Sequence, residues 1–351
     1  MFSLKLGYFY AILAAILFGA STPASKWLLG GTSPWLLAGL LYLGSGLGLF
    51  LTLIIRKIFK FRKSEASLQK KDWGWLSGAT LFGGVIAPTL LMYGLSRTDA
   101  GSASLLLNLE GVFTATLAWF VFRENFDRRI LFGMISILAG SVVLSWTQDP
   151  SLSDFIGPIC VSLACLSWGI DNNFTKKISA SDALQISMLK GLAAGLTNIA
   201  LAVALSEISV NPKMLMIAGV VGFFGYGLSL LCFVLALRQI GAARTGAYFS
   251  LAPFLGAIIA VLMGSEPMST QLVIAGILMG YGVWLHLSEN HEHEHIHLEM
   301  EHEHNHVHDS HHQHTHSPLD PPGEPHVHKH RHEKLVHSHH HFPDTHHSHK
   351  H

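Results

Sequence analysis

No histidine occurs before His286, although the chain has 25 of them in 351 residues. Imidazole chemistry is therefore excluded from the first four-fifths of the molecule. Charge is scarce too: 13% of residues are charged, against about 25% in a typical soluble domain. There are three cysteines, Cys160, Cys165 and Cys232, and none forms a CxxC pair. That removes a thiolate zinc fold and a disulfide framework, and leaves the cysteines as small buried apolar residues. No G-x-x-x-x-G-K-[ST] run is present, so a gradient rather than this kind of ATP site would drive any transport. Zero net charge says nothing about nucleic acid, but the basic residues of the apolar part are dispersed over short loops with no basic–aromatic face, which argues against nucleic acid as a partner. No residue constellation suggests covalent catalysis, so the chain does not read as an enzyme.

What is present is a series of long apolar runs. A helix needs roughly 20 apolar residues to cross the hydrocarbon core. Ten such runs are predicted, at about 7–28, 35–55, 73–95, 100–122, 130–147, 155–175, 183–205, 214–237, 244–264 and 269–287. The fold class is an all-α integral membrane protein with a polar C-terminal tail. Lys5, the apolar run after it and Gly19-Ala20-Ser21 faintly resemble a secretory signal. The run continues through Trp27-Leu28-Leu29, however, which argues for a retained membrane helix.

Loop charges set the orientation. With the N-terminus inside, the cytoplasmic connections carry fifteen Lys and Arg residues, seven of them between Arg56 and Lys71. The outer loops carry Arg97 and Lys213, with Lys26 at a helix end. By the positive-inside rule both termini are cytoplasmic. The expected location is the cell (inner) membrane.

The chain also repeats itself. Laying 100–126 on 242–268 puts Leu109 on Leu251, Ala115 on Ala257, Ala118 on Ala260 and Glu124 on Glu266. Leu17-Phe18-Gly19 with Lys26 likewise falls on Ser167-Trp168-Gly169 with Lys176. Each half holds five helices, an odd number, so the second enters the membrane inverted. Inverted repeats of this kind place a substrate site near the midplane between the halves. The expected organisation is a first repeat over 1–147, a second over 148–287 and a tail over 288–351. The GxxxG spacings Gly44/Gly48, Gly191/Gly195 and Gly276/Gly280 read as close helix packing.

These features resemble the drug/metabolite transporter superfamily in its ten-helix form of two EamA-type halves. Trp168-Gly169, Asn173-Phe174-Thr175-Lys176-Lys177, Leu251-Ala252-Pro253-Phe254 and Glu266-Pro267 carry the resemblance. Weaker first-half copies are Phe18-Gly19 through Lys26, and Leu109-Glu110-Gly111-Val112-Phe113 with Glu124. The resemblance implies an integral membrane carrier, usually an exporter, with cytoplasmic termini. It implies no particular substrate. Gly111 departs from the proline that family members often have there, Glu110 is unusual at that depth, and the tail lies outside the pattern.

Charges within apolar helices are costly, so each needs a partner or a purpose. Glu110 and nearby Asn108 lie in the fourth helix, Asp171, Asn172 and Asn173 in the sixth, and Lys190 in the seventh. Glu110 and Asp171 are the leading transport-site candidates. A carboxylate can ligate a divalent cation and take up a proton when the cation leaves. The three asparagines could add neutral oxygen ligands. The alternative is structural, an Asp171–Lys190 pair joining two helices. Trp168, Tyr226, Tyr248 and Phe249 could line a pocket, but each reads first as packing.

The tail is built on H-x-H. His291, His293, His295 and His297 form one set, His302, His304, His306 and His308 a second, and His326, His328, His330 and His332 a third. Neutral imidazoles suit nickel, cobalt, zinc and copper. The interleaved glutamates attract cations. With few apolar residues and several prolines, the tail is expected to be disordered without metal. No cofactor is required by this reading, and the tail's ligand would be a divalent transition metal.

Two functions follow. One is proton-coupled export of nickel or cobalt, with zinc behind them, fed by the tail. The other is export of amino acids or other small metabolites, with the tail regulatory or incidental. A membrane-tethered metal buffer ranks last, since ten helices exceed what an anchor needs. The implied partners are the lipid bilayer, a small solute or metal-ion substrate and, in a self-associating form, a second copy of the chain.

Overall fold

The structure is a computed structural model. It describes residues 2–59, 68–122, 128–146, 152–178, 181–205 and 211–287, and the backbone of 292–297, 300–306, 326–332 and 335–340. The described residues of the apolar part are helical apart from short connections. Its α-helices are α1 Phe2–Leu28, α2 Pro34–Ile58, α3 Trp73–Ala79, α4 Ala87–Ser96, α5 Ala100–Leu106, α6 Leu109–Phe122, α7 Arg128–Ser145, α8 Leu152–Ile178, α9 Ala183–Ala204, α10 Pro212–Val221, α11 Ser229–Phe249, α12 Ala252–Leu262 and α13 Thr270–Leu287. Seven helical spans among the described residues are long and apolar enough to cross a membrane. Leu131–Ser145, Ala252–Leu262 and Thr270–Leu285 are shorter apolar helices.

Local chemistry explains where helices start. Ser33 accepts a hydrogen bond from the Leu36 N–H, with Pro34 behind it opening α2. Asp182 accepts from the N–H groups of Leu184 and Gln185 at the head of α9. Asn211 accepts from the Lys213 N–H ahead of Pro212 in α10. Each side chain satisfies donors that the first helical turn leaves unpaired. A connection was expected between 237 and 244, and the chain does turn back between Phe233 and Phe249: their rings lie 4.8 Å apart, where sixteen residues of straight helix would span about 24 Å. Helical hydrogen bonding is nevertheless kept through α11 to Phe249.

The helices pack as a pseudo-symmetric pair of halves. α2 packs on α9 and α7 on α13, each against its own equivalent. α1 crosses to α11 and α12, while its equivalent α8 packs on α4 and α6. Glycines permit the closest approaches. A Cβ on Gly44 would stand 2.4 Å from the Gly219 carbonyl oxygen, and one on Gly195 2.5 Å from the Leu43 nitrogen. Gly276 and Gly280 have ordinary clearances of 3.8 Å, so their GxxxG spacing reflects no tight crossing among the described residues.

Two helices contain a π-helical stretch, Thr80–Ile86 between α3 and α4 and Gly222–Leu228 between α10 and α11. The register that lays Leu109 on Leu251 lays one stretch on the other. Such widened turns free backbone groups for other partners and recur at functional sites.

In the tail, Glu292–His297 runs antiparallel to Leu335–His340, and Met300–His306 to His326–His332. Two-stranded ribbons of this kind are marginal in water without a further packing surface.

Candidate functional site

Two interrupted helices meet at one cavity. In the first half, α5 gives way to α6 at Leu107-Asn108. There the N–H groups of Leu107, Asn108 and Glu110 bond three residues back, to Ser104, Leu105 and Leu107. The Asn108 side-chain amide donates to the Leu105 carbonyl at 2.9 Å, competing for a backbone acceptor that helix would otherwise use. In the second half, α11 gives way to α12 at Ser250-Leu251. The Leu251 N–H again bonds three residues back, to Tyr248. Pro253, without an N–H, sits in the first turn of α12 where none is needed. Interrupted helices expose polar backbone inside a membrane, which is tolerated where it lines a cavity.

The cavity encloses about 240 Å³. The first interruption lines it with Leu107, Asn108, Glu110 and Gly111, and the second with Phe249, Ser250 and Pro253. Phe18 of α1, Ile137 of α7 and Val283 of α13 complete the wall. Phe18 is the hub of an aromatic cluster, with ring centroids 5.4 Å from Phe249, 6.0 Å from Tyr226 and 6.4 Å from Trp168. A largely apolar wall with one acid and a few neutral polar groups is the usual composition of a small-ligand site.

Glu110 stands in the first turn of α6, the end of a helix dipole that favours an anion. Its carboxylate accepts a hydrogen bond of 2.8 Å from the Asn172 amide, which also reaches Thr114 Oγ1 at 3.3 Å. Asn173 turns the other way and donates to the Gly169 carbonyl at 2.8 Å and to the Thr114 carbonyl at 3.4 Å. Glu110 and Asn172 thus form one polar pair, Asn108 shares the cavity wall with Glu110, and Asn173 ties α8 to α6.

Asp171 belongs to a different group. It forms a buried ion pair with Lys190 of α9 and accepts from Thr175 Oγ1 at 2.9 Å. The pair packs on the first π-helical stretch, where a Cβ on Gly83 would collide with the Asp171 carboxylate. The Gly83 carbonyl accepts from Tyr42 Oη at 2.6 Å and Trp168 Nε1 at 3.0 Å, and the Gly84 carbonyl from Asn198 at 2.9 Å. The backbone acceptors at this π turn are therefore used as inter-helix anchors.

The other aromatic candidates divide. Phe249 lines the cavity, whereas Tyr226 and Trp168 are buried behind Phe18. Tyr248 packs away from it, 5.4 Å from Tyr8. Sequence reasoning did not single out Phe18, Ile137, Ser250 or Val283 as lining residues. For Ser250 a signal existed, since the repeat register lays it on Asn108.

No group of three His, Cys, Asp or Glu side chains suited to a metal occurs among the described residues. Of the tail candidates, His291 and His308 lie outside the described residues. His293, His295, His297, His302, His304, His306, His326, His328, His330 and His332 are described as backbone alone.

Comparison with known proteins agrees with this architecture. The EamA-like transporter family matches residues 5–146 and again 155–288. An uncharacterized transporter of Methanothermobacter thermautotrophicus is 32% identical over 292 residues, covering 80% of this chain and 85% of that one. A probable 4-amino-4-deoxy-L-arabinose-phosphoundecaprenol flippase subunit ArnE of Pseudomonas fluorescens is 39% identical over 83 residues, 23% of this chain and 70% of that protein. A solved crystal structure superposes with a TM-score of 0.58 at 17% identity, over 81% of this chain and 94% of that chain, a likeness of fold. With both halves matched, the chain belongs to the EamA-like transporter family and is a multi-pass membrane transporter.

Proposed function

We propose that the protein is a secondary-active exporter of a divalent transition metal, nickel or cobalt ahead of zinc, working in exchange for protons. Both termini are cytoplasmic, so the tail meets its metal on the side from which cargo is exported. The carrying observation is Glu110, a carboxylate at the meeting point of two interrupted helices, with Asn108 and Ser250 beside it on the cavity wall. One carboxylate and a few neutral oxygens make a weak site. A carrier needs such a site, because bound cargo must leave. The imidazoles of the tail would collect metal more firmly and raise its local concentration near the inner mouth. A proton taken up by Glu110 would displace the cation and return the empty carrier. Asp171 and Lys190 neutralise one another and act as structure in this scheme.

A second reading is export of an amino acid or another small amine. The aromatic wall around Phe18 and Phe249 favours it, since a ring face and a carboxylate together suit an organic cation. The ArnE relatives point the same way, because their name carries an amino sugar.

One experiment separates the readings. Cells lacking their own efflux would express the full chain, a chain ending at Leu287, Glu110→Gln or nothing, and be challenged with nickel, cobalt, zinc and a panel of amines. Lower content of one metal, lost in Glu110→Gln, is the expected result. Unchanged metal content with lower amine content would transfer the function to the second reading.

A further inference from the structure

At the end of the bundle formed by connections 29–33, 97–99 and 263–269, the two halves are fastened together. In the orientation adopted above, this is the outer face. Glu266, in the connection between α12 and α13, is buried to 6% exposure. Its Oε2 accepts from the backbone N–H groups of Gly101 at 2.6 Å and Ser102 at 3.0 Å, and its Oε1 from the Ser102 hydroxyl at 2.7 Å. These donors sit in the first turn of α5, the half-helix whose other end is the interruption beside Glu110. Gly101 is required for the approach, because a Cβ there would stand 2.7 Å from Glu266 Oε2. Alongside, Lys26 of α1 donates to the Leu95 and Thr98 carbonyls at 2.7 and 2.8 Å, closing the end of α4.

Beneath this layer, toward the cavity, α1, α5 and α12 converge on small residues. A Cβ on Gly256 would lie 2.7 Å from Ser104 Oγ and 2.8 Å from the Gly19 carbonyl oxygen. Gly19 follows Phe18 of the cavity wall directly. The route from the cavity to this end is therefore blocked by backbone contact, and α5 must move for it to open. At its N-terminus, α5 is held by the Glu266 carboxylate.

We propose that Glu266 is the latch of the outer gate: its grip on the N-terminus of α5 keeps the Glu110 cavity closed to the outside, and export requires that grip to be released. The inference rests on the carrier reading but not on the identity of the cargo. A contact made in the outward-closed state alone biases the carrier toward that state, and removing it shifts the population toward the outward-open one. Glu266 acts through α5 and touches no cavity-lining residue by hydrogen bond, so it is a positioning residue.

A thiol at Gly111 reports the gate. Gly111 lines the cavity and a Cβ there meets nothing within 4 Å. Gly111→Cys would be made with Cys160→Ser, leaving Cys165 and Cys232, which are buried. Intact cells would be treated with a membrane-impermeant maleimide in the absence of cargo, and a permeant one would give total reactivity. Glu266→Ala should raise external labelling several-fold over the parent. Gly101→Ala, whose methyl displaces the carboxylate while Glu266 itself stays in the chain, should raise it nearly as much, and Ser102→Ala less. Parent-level external labelling in Gly101→Ala and Ser102→Ala, with full permeant labelling, would overturn the latch even if Glu266→Ala failed to reach the membrane. Because no cargo is present, loss of the metal reading would leave this result untouched.

Discussion

The two halves share their geometry and differ in where they keep charge. At the helix interruptions, the first half has Asn108, Glu110 and Gly111, where the second has Ser250, Ala252 and Pro253. At the contact between the π stretch and the first helix of the opposite half the situation reverses. The second half supplies Asp171 and Lys190, and the register that lays Phe18 on Trp168 puts Ser21 and Leu40 in their places. The repeat thus fixes the frame of two interruptions, two π stretches and mutual helix crossings. Chemistry is assigned by departures from the repeat, one carboxylate for the cavity and one ion pair for the scaffold.

The largest expected effect tests that division at the cavity. Glu110→Gln should abolish transport, since no other described residue lining the cavity is charged. Ser250→Ala, the equivalent alteration in the other interruption, should lower transport only a fewfold. Initial rates in membrane vesicles decide it. Equal losses in the two variants would mean that the interruptions contribute alike and that the carboxylate is not the distinguishing group.

Next in size is the ion pair. Asp171→Ser, which imposes the first half's residue, leaves Lys190 buried without its partner, and removing one member of a buried pair costs about 3–5 kcal/mol. Asp171→Ser with Lys190→Leu copies the first half at both positions and should recover most of that loss. Thermal unfolding in detergent measures both. Equal destabilisation of the single and double variants would show that the pair has a role its neutral equivalents cannot fill.

Much of this was legible in the sequence, for identifiable reasons. Ten apolar runs follow from the price of exposing backbone to lipid, and the repeat follows from residues such as Ala115 and Ala257, or Ala118 and Ala260, that recur at the same positions in the register. The prominence of Glu110 follows from the rarity of acids at that depth. The asparagine run was harder. Asn172 and Asn173 are adjacent, but successive helical residues point about 100° apart, so one turns to Glu110 and the other to the Gly169 carbonyl. The π stretches were not legible, because TLFGGVI and GFFGYGL are ordinary apolar glycine-containing sequence. Phe18 was noticed as a repeat marker, and its place on the cavity wall depends on how α1 crosses into the other half.

A smaller effect separates glycines that look alike. Gly44→Ala pushes a methyl to 2.4 Å from the Gly219 carbonyl oxygen, and backbone cannot yield cheaply, so about 1–3 kcal/mol should be lost. Gly276→Ala meets Leu105 at 3.8 Å and should change stability by about 0.5 kcal/mol or less. Parallel unfolding curves would reveal a helix crossing at Gly276 if its loss matched that of Gly44.

The smallest expected effect concerns the segment that belongs to neither half. A chain ending at Leu287 keeps every described contact between helices, so its unfolding temperature should match that of the full chain without metal. With nickel added, the full chain should differ from the short one in metal bound, with no added stability in the helices. That binding should fade as pH falls through about 6.5, because protonated imidazole carries no lone pair for the metal. The sign is fixed by the ligand: bound metal requires neutral histidine, so affinity is complete above this range and lost below it. Metal that raised the unfolding temperature of the full chain alone would mean that the tail docks on the bundle, and the division into two halves and a free appendage would have to be redrawn.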